Sequence, residues 1–366
     1  MILNKQNKTM DNFIRIGRNN IGEGYPTYFI ADIAANHDGD INRAKKLIKL
    51  AKESGADAVK FQHHDVTKYV SDFGFKNLGG KFSHQSKWEK SIFEVYKDAE
   101  VPKSWTDELK SLCEELEIDF FSTPYDLDMV DFLNDLVPAF KIGSGDVTWE
   151  AMLEKIAKTQ KPVLFASGAA NLNEVIRAVD VITNLNNQVL LMQCNTNYTA
   201  SFENFKYINL NVLKTYKLLF PNLVLGLSDH TPGHVTVLGA VTLGARAIEK
   251  HFTDDITRKG PDHAFSMDPK TWREMVDATR LLEQSLGSTL KKVEENEIDT
   301  LVLQRRAIRI LKDIQIGEVL TFENVQFQRP CPKDAIHPNE IDKLLGKKIV
   351  KNVASGDYLR LEHFNW

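Results

Sequence analysis

The chain has 366 residues, enough for one large domain and a smaller one. Its hydrophobic fraction of 42% and charged fraction of 26% are ordinary for a globular protein, and a net charge of −4 leaves no basic footprint for nucleic acid. No apolar run nears the ~18 residues of a membrane span, and MILNKQNKTMDNF lacks a signal peptide's apolar core, so a cytoplasmic protein with no membrane partner is expected. Cys113, Cys194 and Cys331 are widely spaced and form no CxxC pair, which points to reduced thiols rather than disulfides or a cysteine zinc site.

Residues 1–26 read as a preface, in which FIRIGRNNIGEGYPTYFI forms a hairpin closing the bottom of a barrel. Eight short apolar runs then alternate with helical patterns. The runs are TYFIADIA (27–34), AVKFQ (58–62), DFFSTP (119–124), AFKIGSG (139–145), VLFASG (163–168), VLLMQC (189–194), LVLGLSDH (223–230) and AIEKHF (247–252). This series predicts an α/β fold, a (β/α)8 TIM barrel over 1–287, with its active site at the C-terminal ends of the strands. The first helix follows Asp40, a suitable N-cap, buries Ala44, Leu47, Ile48 and Ala51, and stops at Gly55.

Residues 63–103 are too long for a simple connection and lie on the functional face, which marks a lid or substrate-facing insertion. Helices are expected over 104–117, 126–135, 149–158, 171–183, 206–218, 233–244 and 270–287, with Pro232 in the first turn of the sixth of these. Residues 288–303 read as a linker, exposed and helical over 288–300. Residues 304–366 carry short β-like runs, and DIQIGEVL and NVASGDYL each suggest strand, glycine turn, strand.

Nearly every barrel run ends in a polar or ionisable group, so Lys60, Gln62, Thr123, Lys141, Ser144, His230, Glu249 and His251 should meet at one mouth. Two lysines within apolar runs must be paired or neutral, and with Ser144, Ser167 and Ser228 they suit a polyanionic ligand. Either lysine could instead form a Schiff base. His230 and His251 end neighbouring runs, about 4.8 Å apart, and can share one divalent metal with positions left open for a substrate oxygen. Glu249 lies two residues before His251 on the same face. His234 is a weaker ligand candidate, His37 can cap or contact substrate, and His63 and His64 border the mouth. His84, His337 and His363 read as surface groups. Asp32, inside the first run, is either a general acid/base or substrate ligand, or a salt-bridge partner of Lys60. Asp262 follows the eighth run in RKGPDH, a position that an ordinary turn would also explain.

At these residues the chain resembles the N-acetylneuraminate (sialic acid) synthase family. ADIAANHDG, KFQ, FSTP, KIGSGD, GLSDHTPG, EKHFTDD, GPDHAFSM and QRP run in that family's order along almost the whole chain, and the segment from about Arg305 looks like its antifreeze-like (SAF) β-clip domain. The resemblance implies condensation of phosphoenolpyruvate with an N-acyl amino sugar, N-acetylmannosamine or a related 2-acetamido sugar. It implies Mn2+ or Mg2+ on His230 and His251. It places Lys60, Lys141, Ser144 and Ser228 around phosphate and carboxylate, with Ser167 beside the position of a further family hydroxyl. Gln62, Thr123 and Tyr198 match cleft residues, and Asp32, Glu249 and Asp262 match catalytic acids. A domain-swapped homodimer is also implied, in which Arg329 of one chain reaches the sugar's N-acyl group in the other. The chain departs from the family at Asp32, where the sialic acid branch has Glu, at Ala166, in CNTNYTAS (194–201), and in its enlarged 63–103 segment. These departures fall mostly on the sugar side. The competing readings are a phosphorylated-aldose acceptor, as in octulosonate- and heptulosonate-forming synthases, a non-catalytic sugar-binding barrel, and a Schiff-base aldolase.

Overall fold

The computed structural model describes residues 12–78, 85 and 88–365. It divides into two compact units, Met1–Gly287 and Ser288–Trp366. The first opens with an antiparallel hairpin, β1 (Phe13–Ile16) and β2 (Asn19–Gly22). Parallel strands β3 (Tyr28–Asp32), β4 (Ala58–His63), β5 (Asp119–Pro124), β6 (Phe140–Ile142), β7 (Val163–Ala166), β8 (Val189–Cys194), β9 (Val224–Asp229) and β10 (Ala245–His251) pair in chain order, and β10 returns to β3 to close a barrel. Each of the eight apolar runs carries one of these strands.

Helix α1 (Ile41–Glu53) shows why the alternation forms. Asp40 accepts from Asn42 N–H at 2.8 Å, and Ala44, Leu47, Ile48 and Ala51 make one buried stripe. Burying Leu47 and Ile48 is worth about 1.5–3 kcal/mol each. Gly55 turns the chain back with φ +92°, a conformation that disfavours a side chain. The long β4–β5 connection holds α2 (Val66–Tyr69), α3 (Asp72–Asn77), α4 (Ile92–Asp98) and α5 (Lys103–Glu115). His84, expected at the surface, lies outside the described residues. Helices α6 (Leu127–Leu133), α7 (Glu150–Lys158), α8 (Leu172–Thr183), α9 (Val212–Leu219), α10 (Val235–Thr242) and α11 (Pro269–Leu286) complete the barrel.

Two helices start later than the pattern suggests. Asn209 has φ +49°, which an α-helix cannot contain, so α9 begins at Val212 after a separate 3-10 turn. Gly233 has φ +69°, which delays α10 to Val235 and leaves Pro232 outside its first turn.

In the second unit, residues 288–294 are not helical. Helix α12 (Ile298–Gln304) starts only after a 3-10 turn at Glu295–Glu297. Residues 288–300 are exposed throughout, so no packing face supports a longer helix. Strands β11 (Ala307–Ile310) and β12 (Val325–Gln328) pair antiparallel over a core that includes Ile308, Leu320 and Leu359. DIQIGEVL and NVASGDYL are not full strands. They meet through single bridges such as Ile314–Val353, and each turns at a left-handed glycine, Gly317 or Gly356. His363 is buried, not a surface group, because its Nδ1 accepts from Arg360 N–H at 3.1 Å, and His337 is half-buried.

The twofold alternation along β4 sends Lys60 and Gln62 into the barrel and Phe61 and His63 outward. His63 therefore does not border the mouth. Its ring nitrogens pair with Ser122 Oγ at 2.8 Å and Thr106 Oγ1 of α5 at 2.9 Å. Burial, with His64, His37 and Lys103 nearby, lowers its pKa from 6.5 to about 3. Below about pH 6.5 the unfolded chain takes up a proton that the folded chain refuses until about pH 3. Stability is therefore lost as pH falls through this window, by about 1.4 kcal/mol per pH unit, or ~2 kcal/mol down to about pH 5. A His63→Gln variant should lose that share of the acid sensitivity, measured by denaturant unfolding at about pH 7 and about pH 5. Equal pH sensitivity in both proteins would contradict a buried neutral His63.

Candidate active site

The mouth of the barrel is built on strand register. Asp32 of β3 stands opposite Lys60 of β4 on one side and His251 of β10 on the other. Lys60 Nζ donates to Asp32 Oδ2 at 2.6 Å and to Thr123 Oγ1 at 3.4 Å, and lies 3.9 Å from Glu249 Oε1. Gln62 Nε2 donates to the same Asp32 oxygen at 3.2 Å. Lys60 and Asp32 are each only 2% exposed, so the charges depend on one another. Burial pushes the Lys60 ammonium down, but Asp32 and Glu249 beside it more than reverse this and hold it above its ordinary value.

Glu249 joins the second lysine to the first. Its Oε1 lies 3.4 Å from Lys141 Nζ and accepts from Ser228 Oγ at 3.2 Å, while its buried Oε2 has no hydrogen-bond partner among the described residues. Two ammonium groups thus face two carboxylates in a buried space, an arrangement that can re-pair with an incoming polyanion.

Ser144 stands on the turn after β6, where its Oγ accepts from Gly168 N–H at 3.0 Å and so keeps its own hydrogen for another acceptor. A Cβ on Gly168 would lie 2.8 Å from both Ser144 Oγ and Thr196 Oγ1, so this close approach needs glycine. Cys194 lies among Ser144, Ser228 and Lys141, and burial pushes its thiol up, away from nucleophilic chemistry. Asp146, in the same turn, is raised to about 6 by burial despite Lys141 nearby. Ser167 does not join this group. Its Oγ donates to Met192 C=O at 2.9 Å and accepts from Tyr216 O–H at 2.9 Å, so it ties β7 to β8 and α9.

The histidine pair lies across the mouth, with ring centroids 5.3 Å apart. His230 Nδ1 faces Asn195 C=O at 3.0 Å, which fixes the proton there and leaves Nε2 with a lone pair. His251 Nε2 is 3.6 Å from Asp32. Its Nδ1 is buried, 3.8 Å from Asp262 Oδ2 and without a hydrogen bond among the described residues. Burial lowers the pKa of both rings, so they stand neutral, the form that binds metal. Among the described residues no three His, Cys, Asp or Glu side chains form a metal cage. The fit is that of an open two-imidazole site flanked by carboxylates, with room for oxygen ligands. His234 stands at the start of α10, and His37 is buried edge-on against Trp105, so neither joins the pair.

Asp262 reaches the mouth from beyond β10, where its Oδ2 accepts from Ala35 N–H at 3.1 Å; burial raises it to about 6. Tyr198 stands edge-on to His230, centroids 4.5 Å apart, and Phe265 packs 4.9 Å from His251. Beside them is a cavity of about 140 Å3, lined by Gln62, His251, Asp262 and a group of aromatic side chains.

The comparisons with known proteins agree with this geometry. A model described as the NeuB family matches residues 47–291. The chain belongs to the NeuB family. A model of the SAF domain matches residues 305–365. Among NeuB-type relatives, the chain is 35% identical to an N,N'-diacetyllegionaminic acid synthase of Campylobacter jejuni, over 91% of this chain and 99% of the other. It is 33% identical to the Homo sapiens N-acetylneuraminate-9-phosphate synthase, over 93% and 94%. The solved structure of spore coat polysaccharide biosynthesis protein SpsE from Bacillus subtilis is 30% identical with TM-score 0.64, covering 97% and 99%. NeuB relatives of this kind are transferases that form C–C bonds, so this chain is an enzyme of that type.

Several cleft residues of this NeuB barrel carry no signal of their own in the sequence. Gly168 acts through the close approach of its backbone to Ser144 Oγ and Thr196 Oγ1, Phe265 through packing, and Tyr125 through its place just beyond β5. Only Ser144's neighbourhood, KIGSG followed by FASG, hints at the first of these. Arg329 belongs to the second unit, preceding Pro330 across a cis peptide.

Proposed function

We propose that the protein joins phosphoenolpyruvate to the open-chain aldehyde of an N-acyl amino sugar, giving a sialic-acid-type nonulosonate and phosphate. The supporting observation is the pairing, in one barrel mouth, of a buried two-lysine anion site with two neutral histidines. Lys60 and Lys141 bind the phosphate and carboxylate by exchanging contacts with Asp32 and Glu249. Ser144 and Ser228 add hydroxyl donors, Gln62 and Thr123 hold the Lys60–Asp32 end, and Ser167 supports β7 behind them.

In the reaction, C3 of phosphoenolpyruvate bonds to the aldehyde carbon, whose oxygen takes a proton. Water then adds at C2 and loses a proton, and phosphate leaves with its bridging oxygen. Asp32, Glu249 and Asp262 are placed to carry these protons. A divalent metal, Mn2+ or Mg2+, held by His230 and His251 supplies a Lewis acid for the aldehyde oxygen. Tyr198 orients His230 and closes the sugar side.

Phosphate release from phosphoenolpyruvate should require both a divalent metal and an N-acyl sugar, and should stop with chelator. Release driven only by a phosphorylated aldose would refute the acceptor class. The reading includes a domain-swapped homodimer in which Arg329 reaches the N-acyl group of the partner's substrate. Arg329→Ala should therefore raise the sugar KM about 10-fold or more and leave the phosphoenolpyruvate KM unchanged. Equal loss for both substrates would contradict a sugar-facing Arg329.

A further inference from the structure

The ladder between β9 and β10 stops one residue short of the two histidines. Its last register pair is Asp229–Lys250, and β9 itself ends at Asp229. His251 is laddered on its other side, where it stands opposite Asp32 of β3, and its C=O accepts from Met267 N–H at 2.9 Å. His230 lies on the turn beyond β9, so the sheet alone does not set its place relative to His251.

The side chains of Asp229 and Lys250 carry the connection past the end of the ladder. Strand alternation turns both outward, behind Ser228, Glu249 and the histidines, and their side chains are 0% and 1% exposed. Lys250 Nζ donates to Asp229 Oδ2, and to Thr231 C=O at 2.6 Å. The same Asp229 oxygen accepts from Thr231 Oγ1–H at 2.8 Å and from Thr236 Oγ1–H at 2.7 Å, while Oδ1 accepts from Thr231 N–H at 3.3 Å. Thr231 is thus gripped through its amide, its hydroxyl and its carbonyl, and His230 is held between Asp229 and Thr231. Thr236 ties the carboxylate to the first turn of α10. A buried ion pair is a weak source of net stability compared with apolar side chains of the same volume, but its directed bonds fix geometry. This pair carries no net charge and faces away from the mouth.

We infer that Asp229 and Lys250 are positioning residues for the metal site. They hold the His230 turn against β10, which keeps the two imidazoles at their 5.3 Å centroid spacing. The inference rests on the synthase reading, in which His230 and His251 share one divalent ion.

The test is Mn2+ binding to the full-length protein, followed by the EPR signals of free and bound metal, with melting temperature and phosphoenolpyruvate affinity measured alongside. Lys250→Met should weaken Mn2+ binding at least ~10-fold, although it removes a positive charge near the site. A field effect alone would make this variant bind Mn2+ more tightly. Asp229→Asn should also weaken binding. Both single variants should lower the melting temperature by roughly 6–20 °C, because each strands a buried charge. The double variant Lys250→Met/Asp229→Asn has no unpaired charge. It should regain most of the melting temperature yet keep the Mn2+ defect, with an altered line shape for the bound ion. Phosphoenolpyruvate affinity should stay unchanged in all three. Mn2+ affinity that is unchanged in Lys250→Met, or that returns with the melting temperature in the double variant, would overturn the inference and leave the pair merely structural. Mn2+ binding that survives His230→Ala would remove the shared-metal reading and this inference with it. Phosphate release, assayed separately, tests the reaction. Its absence in a protein whose Mn2+ binding follows these variants would leave the positioning role standing and remove the synthase reading.

Discussion

His251→Ala should lower metal-dependent turnover by about 10^3-fold and leave the barrel folded. The reason is the donor set. His230 and His251 are the paired neutral imidazoles of the mouth, 5.3 Å between centroids, and loss of one leaves a single nitrogen ligand. Lewis-acid activation contributes several kcal/mol, and about 4 kcal/mol corresponds to ~10^3 in rate. The fold should survive because the ring makes no hydrogen bond through Nδ1 among the described residues and lies at the open end of β10. Mn2+ affinity should fall with activity, whereas phosphoenolpyruvate binding through Lys60 and Lys141 should not. Unchanged turnover in a purified, folded His251→Ala protein would remove the ligand assignment.

Lys60→Met should abolish activity and also destabilise the barrel by about 3–5 kcal/mol, because it strands the Asp32 carboxylate in a site from which water is excluded. For a domain of this size that is a fall in melting temperature of roughly 6–20 °C. Adding Asp32→Asn removes the unpaired charge. The double variant Lys60→Met/Asp32→Asn should therefore regain at least ~2 kcal/mol while staying inactive. This split separates the two roles of the pair, since stability returns and chemistry does not. If Lys60→Met melts like the unaltered protein, the buried pair is not holding the β3–β4 edge of the mouth.

Much of this site is legible in the sequence, because a barrel converts position along a strand into position in space. A polar residue at the end of an apolar run has only two directions to point. Where i and i+2 both carry functional groups, as in Lys60 and Gln62 or Glu249 and His251, the inward face is set by alternation. The same rule explains where sequence and structure part. His63 and His64 are adjacent and look equivalent, yet His63 is on the outward phase of β4 and bonds to α5, whereas His64 has left the strand and turns to the cavity. Ser167 looks like a companion of Ser144, but it sits just past β7 and bonds to Met192 and Tyr216.

Other features depend on contacts that no local pattern encodes. The need for glycine at 168 arises from Ser144 and Thr196, which come from two other connections. The aromatic side chains of the cavity beside the mouth, Tyr69, Tyr96 and Tyr125, come from separate stretches of the chain. The linker over 288–300 does not form the expected continuous helix, because propensity without a buried face does not sustain one. Gly233 and Asn209 delay two helices through left-handed backbone conformations that an α-helix cannot contain.

The most direct test of the central claim is the mass of the product, with a phosphate count, when phosphoenolpyruvate, Mn2+ and an N-acyl amino sugar are mixed with the protein in 18O-labelled water. Condensation predicts one phosphate per adduct, an adduct with the mass of sugar plus pyruvic acid raised by the 18O that water places at C2, and phosphate free of 18O because the C–O bond breaks. Free pyruvate with no adduct, or phosphate carrying 18O, would contradict it.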